Sequence, residues 1–320
     1  MNFDLSELQT EWRDKGAALG RQIGRDATAP TIVNGAAEIG LLDPAGDLSA
    51  VTVAVQTLAG EAPAAGVVLA LHCGTSLAMA GDRRFASLFT GDKVVAVGLS
   101  SDDVPVEEAG RLSGRAPWAA PVTERGIVVV SPRRDTERLA YAVALDAPGV
   151  SVEAIQTAAL AGVVCAHVTL DRAACEPSGP TLPIMTRIRI LMAAAGLGMG
   201  GRALREALMT ARTAHTAAAG EQTVQGLLAD AATELDAAML MTWKAATAGS
   251  PSLAEASLAK LMATGAAQRA VERATQVVGV DSFQRGHIIE RLAQDVRALE
   301  LFAGRTEALR AAVAEDLYPS

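Results

Sequence analysis

Aromatic and basic residues are both scarce in this chain of 320 residues. Tryptophan, tyrosine and phenylalanine together make up 3% of the sequence, and lysine occurs only four times against 24 arginines. Acidic residues outnumber basic ones, and the net charge is −8. A nucleic-acid-binding protein normally presents a basic patch to phosphate groups, so this balance argues against that class.

Cysteine is scarce as well, with three residues at Cys73, Cys165 and Cys175 that lack zinc-like spacing. An odd number of widely spaced cysteines excludes a disulfide scaffold and fits a reducing cytosol. The sequence also contains no Ser/His/Asp arrangement, Walker loop or metal-binding motif. We therefore expect no metal in this protein.

Long hydrophobic runs are missing too. The most apolar stretch, Ala64 to Leu71, is too short to cross a bilayer, and the stretch from Ala193 to Gly201 is interrupted by glycine. The first residues, Met1 to Leu8, are acidic and amphipathic and do not resemble a signal peptide. These features predict a cytoplasmic protein without a membrane span.

What the sequence does contain is alanine, at 66 positions. Alanine is the best helix former and permits close contacts between helices, so this bias predicts tightly packed helices. Hydrophobic residues make up 50% of the chain and charged residues only 20%, a balance that excludes wholesale disorder. A chain of this length normally divides into two or three subdomains around a shared core.

The first predicted unit is a helical domain over residues 1–90. Apolar spacing indicates helices over Ser49–Leu58 and Gly66–Met79, and Pro44 marks the end of an earlier helical segment. The alternation of residues at Val51–Val55 would also permit a strand there, but we favour the helix.

The second predicted unit, residues 91–181, is a small β-domain. Short apolar runs, most of them rich in valine, are separated here by Pro, Gly, Asp and Ser at strand-like intervals. We expect six to eight strands in an open or barrel-like arrangement.

The third predicted unit, residues 182–320, returns to long alanine-rich helices. Breaks fall at Gly220, at Gly249–Pro251 and around Gly279–Ser282, which predicts an antiparallel bundle of four helices of roughly 25 residues. The glycine-rich stretch Gly198–Gly201 lacks the preceding strand of a phosphate-binding loop, and we interpret it as close helix packing. The predicted fold class is therefore α+β, with a helical domain, a central β-domain and a helical bundle.

Several segments match one set of family motifs in the right order. In the last third the chain follows the pattern Ala-Lys, Gln-x-x-Gly-Gly, Glu-Arg/Lys-Leu-x-Arg-Asp and Glu-Gly-Thr without a gap. Four segments match this pattern in turn: Ala259–Leu261, Thr275–Gly279, Glu290–Arg297 and Ala303–Arg305. Three further matches lie earlier in the chain: Gln222–Asp230, Arg189 with Ala193–Gly198, and Leu112–Trp118. By these motifs the chain resembles the acyl-CoA dehydrogenase family, and the resemblance is strongest in the C-terminal half.

The resemblance implies α,β-dehydrogenation of an acyl-CoA thioester with FAD as cofactor and a glutamate as base. Most members carry this glutamate in the Glu-Gly-Thr motif, where this chain has Ala303. A minority carry it on the first bundle helix, where this chain has Ile188. Neither side chain accepts a proton, so we predict that the chain has no catalytic residue of its own. Arg305 replaces the threonine that lies near the flavin in the family.

The resemblance also implies where a flavin and a substrate would bind. Trp118 matches the β-domain tryptophan, and Arg189 matches a conserved bundle arginine that we assign to the substrate. The family's Thr-Glu-Pro-x-x-Gly-Ser-Asp segment has become Leu99–Pro105, and its Arg-x-x-Phe-Gly turn survives only as Arg212–His215. The resemblance assigns the flavin contacts to a set made up of Trp118, Arg212, Gln276, Val278 and Gly279.

Two acidic residues are candidates for replacing the missing base. Glu307 follows Ala303 by about one helical turn, and Asp281 lies in the turn after Gly279. The four histidines are scattered and are interpreted as structural. We interpret the charged residues of Glu290–Arg297 as ion pairs on a helix surface.

These features together indicate a shortened, non-catalytic subunit of a heteromeric acyl-CoA dehydrogenase. The resemblance to such β-type subunits implies a heterotetramer with a catalytic partner, acting in lipid or steroid catabolism. It also implies half the usual number of flavins, with FAD shared with the partner subunit or held by it. Two alternatives remain open at this point. One is a homo-oligomeric flavoprotein with oxidase- or monooxygenase-like chemistry, and the other is a flavin-free scaffold that keeps the fold.

Overall fold

The computed structural model describes residues 4–24, 27–43, 45–99, 105–132, 139–213 and 222–318. Its N-terminal part is helical, with α1 at Glu7–Gln22, α2 at Ala29–Glu38, α3 at Leu48–Glu61 and α4 at Pro63–Ser76. Short 3-10 helices follow at Leu77–Met79 and Arg83–Leu88.

The helix boundaries have local causes. Ser6 and Gln9 form a reciprocal capping box at the start of α1, and the carboxylate of Asp47 accepts the Ser49 backbone N–H at the start of α3. Helix α3 is buried over most of its surface because it packs against both α1 and α5. The helices predicted at Ser49–Leu58 and Gly66–Met79 are confirmed, although the second ends in a 3-10 turn.

A β-domain follows, with β1 at Val95–Gly98, β2 at Val106–Glu108, β3 at Arg111–Ala119, β4 at Ile127–Val130, β5 at Leu139–Ala144, β6 at Val150–Ile155, β7 at Cys165–Ala174 and β8 at Glu176–Pro180. The strands form two four-stranded sheets in the orders β1-β4-β5-β8 and β2-β3-β7-β6. Only the β1–β4 pair is parallel among the strands described. Valine, alanine and leucine side chains of both sheets share one buried cluster, which joins them into a domain.

The C-terminal part is a bundle built around α5, Thr181–Thr213, which packs against α3, α4, α6 (Gln222–Thr247) and α7 (Leu253–Val278). By length and composition α5 could cross a membrane, but 78% of its most apolar window is buried inside the fold, as in a core helix. The interpretation of Gly198–Gly201 as helix packing is confirmed. A Cβ at Gly198 would collide with the backbone of Gln56, and a Cβ at Gly200 would lie 2.7 Å from the side chain of Leu235.

The predicted fourth bundle helix is wrong in one respect, because the structure divides it into two. Helix α8 covers Ile288–Leu301 and α9 covers Thr306–Leu317. Between them the backbone turns through positive φ at Ala303 (56°) and Gly304 (113°), a conformation that no helix contains. We call Phe302–Arg305 the α8–α9 turn. It contains Ala303, the position that the resemblance assigns to a base.

His72 shows how the N-terminal helices attach to the β-domain. The ring is fully buried, with Nε2 2.8 Å from the Leu88 carbonyl oxygen, and Nδ1 accepts the Val95 backbone N–H at 3.3 Å. Burial lowers the pKa of His72 to about 4, so the ring is neutral and donates from Nε2. This contact confirms a structural role for His72. His215, in contrast, lies outside the described residues.

Candidate functional site

An apolar cavity of about 520 Å³ lies between the β-domain and the helical bundle, beside the α8–α9 turn. Leu71 of α4 closes one end. The β-domain and the bundle supply the two walls. The lining residues are Leu71, Val97, Leu99, Pro117, Trp118, Thr157, Ala159, Leu160, Cys165, Met185, Ile188, Ala298, Leu301, Phe302, Ala303, Gly304, Arg305 and Ala308.

Trp118 is the dominant feature of the β-domain wall. The register between β3 and β7 shifts between Ala116 and Ala119, and at this irregularity Trp118 adopts a positive φ of 55°. Its indole is 59% exposed and stands edge-on to the His167 ring, with the ring centroids 6.0 Å apart. The Nδ1 atom of His167 is buried without a hydrogen-bond partner among the described residues. The wall therefore offers an aromatic face to the cavity, whereas His167 contacts Trp118 without lining the cavity itself.

The opposite wall is the α8–α9 turn, which two buried cations hold in place. The guanidinium of Arg189 donates from Nε to the Ala303 carbonyl oxygen at 3.1 Å and from Nη1 to Ser257 Oγ at 2.7 Å. The ammonium of Lys260 donates to the carbonyl oxygens of Glu300 at 3.1 Å and Gly304 at 2.7 Å. The turn is thereby fixed by hydrogen bonds to its backbone, independently of the side chain at position 303.

Burial changes the charge properties of both cations. Desolvation, helped by the positive charge of Arg189, lowers the pKa of Lys260 from its ordinary 10.5 to about 7. Desolvation also lowers the pKa of Arg189. The nearest acid is Glu300, whose carboxylate accepts hydrogen bonds from Thr306 Oγ1 at 2.7 Å and Gln268 Nε2 at 2.8 Å, and these bonds lower its pKa.

No carboxylate lines the cavity among the described residues, and its one charged side chain there is Arg305. Ala303 and Ile188, the two positions that the resemblance assigns to a base, both line the cavity. The two candidates for a replacement base, Glu307 and Asp281, do not line the cavity. Glu307 is exposed in the first turn of α9, and the exposed Asp281 accepts a hydrogen bond from Gln284 at 2.8 Å.

Of the residues predicted to contact the flavin, Trp118 alone lines this cavity among the described residues. Trp118 lines the cavity, but Arg212, Gln276, Val278 and Gly279 line neither it nor a second cavity described below. Gly279 ends α7 with φ 74°, and a 3-10 helix, Gly279–Phe283, follows it. Residues 100–104 of the segment Leu99–Pro105 lie outside the described residues. The same holds for residues 214 and 215 of the turn that begins at Arg212. The role of these four residues stays a prediction.

Arg189 was expected to contact substrate, and the structure places it instead behind the turn. Its side chain is 7% exposed and is not part of the cavity lining. Sequence reasoning missed Lys260, Ser257 and Glu300 as parts of this arrangement. A usable signal existed, because Ser257 and Lys260 are polar residues on the buried face of a helix that is otherwise mostly alanine.

The predicted surface pairing over Glu290–Arg297 is only partly right. Glu290 does accept a hydrogen bond from Gln294 one turn later. Asp295, however, accepts the backbone N–H of Leu160 at 2.5 Å, which ties α8 to the β-domain. The error arose because an acidic residue at helical spacing was assumed to face solvent.

The cavity fits the ring system of a flavin better than it fits a metal. Trp118, Leu99 and Ile188 are the lining residues that would hold a flat, mostly apolar ring. Among the described residues no group of three or more His, Cys, Asp or Glu side chains could hold a metal ion. Among the described residues that line the cavity, Arg305 is the only cation. The diphosphate of a flavin nucleotide would therefore need further donors from outside the lining.

A helical domain, a two-sheet β-domain and a helical bundle around an apolar interdomain cavity define the acyl-CoA dehydrogenase fold. Residues 182–318 match the family "Acyl-CoA dehydrogenase, C-terminal domain". The bundle therefore matches one domain of a family whose members use FAD, and the match covers less than half of this chain.

Among its sequence relatives is the 3-sulfinopropanoyl-CoA desulfinase of Paraburkholderia xenovorans, which is 39% identical over 98 residues, covering 30% of this chain and 25% of the relative. The chain spans only 25% to 36% of the length of the first curated relatives it matches.

The whole chain superposes on solved structures with low sequence identity. Butyryl-CoA dehydrogenase from Megasphaera elsdenii gives a TM-score of 0.87 at 16% identity, covering 99% of this chain and 100% of the other. A glutaryl-CoA dehydrogenase from Mycobacterium smegmatis, solved in complex with FADH2, gives a TM-score of 0.86 at 14% identity and covers 99% of this chain and 96% of the other. These similarities establish the fold of the entire chain.

Proposed function

We propose that this chain is a base-less subunit of a FAD-dependent acyl-CoA dehydrogenase and supports the site of a catalytic partner. One observation carries the proposal. The α8–α9 turn keeps the hydrogen bonds from Arg189 and Lys260 that fix its backbone, whereas the side chain it presents to the cavity is that of Ala303. The scaffold for the base is present, and the base is missing.

The remaining residues of the cavity suit binding rather than proton transfer. FAD, when bound, supplies the hydride acceptor of the family's reaction. Trp118 and Leu99 would pack against its ring, and the apolar walls would exclude water. With no carboxylate in the described lining, removal of an α-proton has to be done by a group from outside this chain.

Exposed apolar side chains support a partner. Val280 is 82% exposed and Phe283 73% exposed, on the 3-10 helix that follows α7. The predicted phosphate-facing residues Gln276 and Gly279 lie in the same segment. A second subunit bound at this segment would bury these side chains. The segment would then lie close to the flavin of that second subunit.

Activity of the chain alone and in complex tests the proposal. The chain would be purified by itself and co-expressed with an acyl-CoA dehydrogenase subunit of the same organism that carries an intact Glu-Gly-Thr motif. We expect a stable complex that oxidises acyl-CoA, and an isolated chain that does not. A yellow, active homo-oligomer formed by this chain alone would contradict the proposal.

A homo-oligomeric flavoprotein with different chemistry is the second candidate. Its support is the relative named as a 3-sulfinopropanoyl-CoA desulfinase, since that name describes a reaction other than dehydrogenation. This candidate predicts FAD bound stoichiometrically by the isolated chain. A flavin-free scaffold, the third candidate, predicts a colourless complex without activity, even with the partner present.

A further inference from the structure

A second cavity, of about 750 Å³, lies where the helical domain, the β-domain and the bundle meet. It shares no lining residue with the apolar cavity described above. Its walls are largely alanine and isoleucine, which leaves room for a ligand, but its rim is charged. The flavin chemistry proposed above makes no use of it.

Two helices begin at this cavity without a side-chain cap. Pro63, in the first turn of α4, lines the cavity, and the side chain of the preceding cap residue, Ala62, has no oxygen that could accept an N–H of that turn. Thr28, the cap residue of α2, makes no capping hydrogen bond, and Ile32 of that helix lines the cavity. Neither first turn contains an acidic residue. Pro30 of α2 and Pro63 of α4 contribute no N–H, but the other first-turn N–H groups and the positive potential of the two uncapped N-termini favour an anion.

Three arginines add positive charge to the same cavity. Arg202 is already paired, with Glu206 at 2.8 Å and Glu61 at 3.5 Å. Arg291, near the start of α8, has its Nε atom buried without a hydrogen-bond partner among the described residues. Arg285 is exposed and has no hydrogen bond or ion pair within the described part of the chain. Two guanidinium groups therefore retain unused donors at this site, one of them on a buried atom.

The acidic residues of the lining have partners of their own. Glu61 faces Arg202, Glu290 accepts from the side chain of Gln294, and Asp295 accepts the Leu160 backbone N–H. Their carboxylates thus do not satisfy the Nε of Arg291. An anion that reached Arg285 and Arg291 would fill donors that the described residues leave unfilled.

We propose that this cavity binds a phosphate-bearing small molecule of the nucleoside diphosphate type. Guanidinium groups and helix N-termini are the donors that phosphate oxygens prefer, because both present several N–H groups to one anion. The apolar side chains of Ile23, Ile32 and Ile288 would pack against the uncharged part of the ligand. The volume accommodates a ligand larger than inorganic phosphate.

Calorimetric titration of the full chain tests the site. The probes are ADP, inorganic diphosphate and adenosine. We expect ADP and diphosphate to bind and adenosine not to bind, and Arg291→Gln and Arg285→Gln each to weaken ADP binding about tenfold. Arg285 is exposed, so its substitution keeps the test valid even if Arg291→Gln impairs folding. Binding of diphosphate but not ADP would contradict a nucleotide ligand.

Two controls separate this site from the flavin cavity and from general charge effects. Arg310→Gln removes one exposed arginine of α9 that lines neither cavity, and ADP affinity should not change. Gln276→Ala alters the predicted flavin-phosphate contacts outside this cavity, and ADP affinity should again be unchanged. The proposal is overturned if the unaltered chain binds no phosphate compound. It is equally overturned if Gln276→Ala weakens ADP binding while both arginine variants leave it intact.

Discussion

The ammonium of Lys260 donates a hydrogen bond to the carbonyl oxygen of Gly304 over 2.7 Å, from a side chain with no solvent exposure. A second bond joins Lys260 to the Glu300 carbonyl oxygen, so one lysine spans the end of α8 and the turn that follows. The turn at the candidate site is therefore held by the bundle core. This arrangement holds the backbone around Ala303 without any contribution from the side chain at that position.

Replacing Lys260 by methionine is expected to destabilise the fold. Methionine fills a similar volume but donates no hydrogen bond, so the carbonyl oxygens of Glu300 and Gly304 lose their donor, at a cost of about 1–3 kcal/mol each at most. Urea unfolding monitored by circular dichroism measures the change. The control is Lys244→Met on α6, where the side chain is 68% exposed and only a 3.9 Å pair with Glu255 is lost. Equal stability of both variants would contradict a fixing role for Lys260.

The pH dependence of stability provides a second test of Lys260. Its pKa is lowered to about 7 in the folded chain and returns to 10.5 on unfolding. Between these values the unfolded state holds a proton that the folded state has released, so stability rises with pH. From pH 7 to 9 the rise should be about 2 kcal/mol. Below pH 7 both states are protonated and this contribution is constant.

The comparison with Lys260→Met isolates this effect from other titrating groups. Arg189 and Glu300 are the charged neighbours that influence the Lys260 pKa, and both remain in the variant. Unfolding free energies of the two proteins are measured from pH 6 to pH 9 and subtracted. A difference that does not change with pH would show that Lys260 keeps its ordinary pKa in the fold.

Restoring a carboxylate at the turn should restore proton abstraction. Ala303→Glu places a general base in the cavity, and such bases contribute about 100-fold or more to proton transfer. The measurement is exchange of the α-protons of a bound acyl-CoA thioester with deuterated water, which requires no electron acceptor. Ala308→Glu is the matched control, because Ala308 lines the same cavity from α9. Equal exchange in both variants would contradict a special role for position 303.

Arg305 should limit the effect of that substitution. A guanidinium near the new carboxylate lowers the carboxylate pKa and makes it a weaker base. The double variant Ala303→Glu with Arg305→Thr is therefore expected to exchange α-protons faster than Ala303→Glu alone. The pH profile of exchange measures the same effect, because its apparent pKa should rise when Arg305 is removed.

Trp118 should decide how tightly the cavity holds a flavin. Removing an exposed aromatic face that packs on a ring costs about tenfold in affinity, so Trp118→Ala is expected to weaken FAD binding and Trp118→Phe to preserve most of it. Quenching of flavin fluorescence in the co-expressed complex measures both. If Trp118→Ala retains full affinity, the flavin ring does not lie against this residue.

Sequence reasoning predicted much of the fold because its elements have strong local signals. The valine-rich runs mark the strands of the β-domain, and the glycines of α5 fit only where helices approach closely. The split between α8 and α9 was missed because Ala303 is a good helix former, and its positive φ is imposed by Arg189 and Lys260 from other helices.

The site was only partly predictable, because contacts from other helices also decide where its side chains lie. Motif order placed Ala303, Ile188 and Trp118 on the lining of one cavity, as the structure has them. It placed Arg189 toward a substrate, whereas the structure buries Arg189 behind the turn. Periodicity assigns a polar residue to a helix face, but it does not determine whether that face meets a ligand, a neighbouring turn or solvent.

The number of flavins per protomer in the co-expressed complex tests the central claim most directly. The complex would be purified with a catalytic acyl-CoA dehydrogenase subunit, its flavin released by denaturation, and the FAD and protein concentrations measured in the same sample. Our account predicts half as many FAD molecules as protomers, and an isolated chain with little or none. One FAD per protomer in preparations of this chain alone, together with dehydrogenase activity, would contradict it.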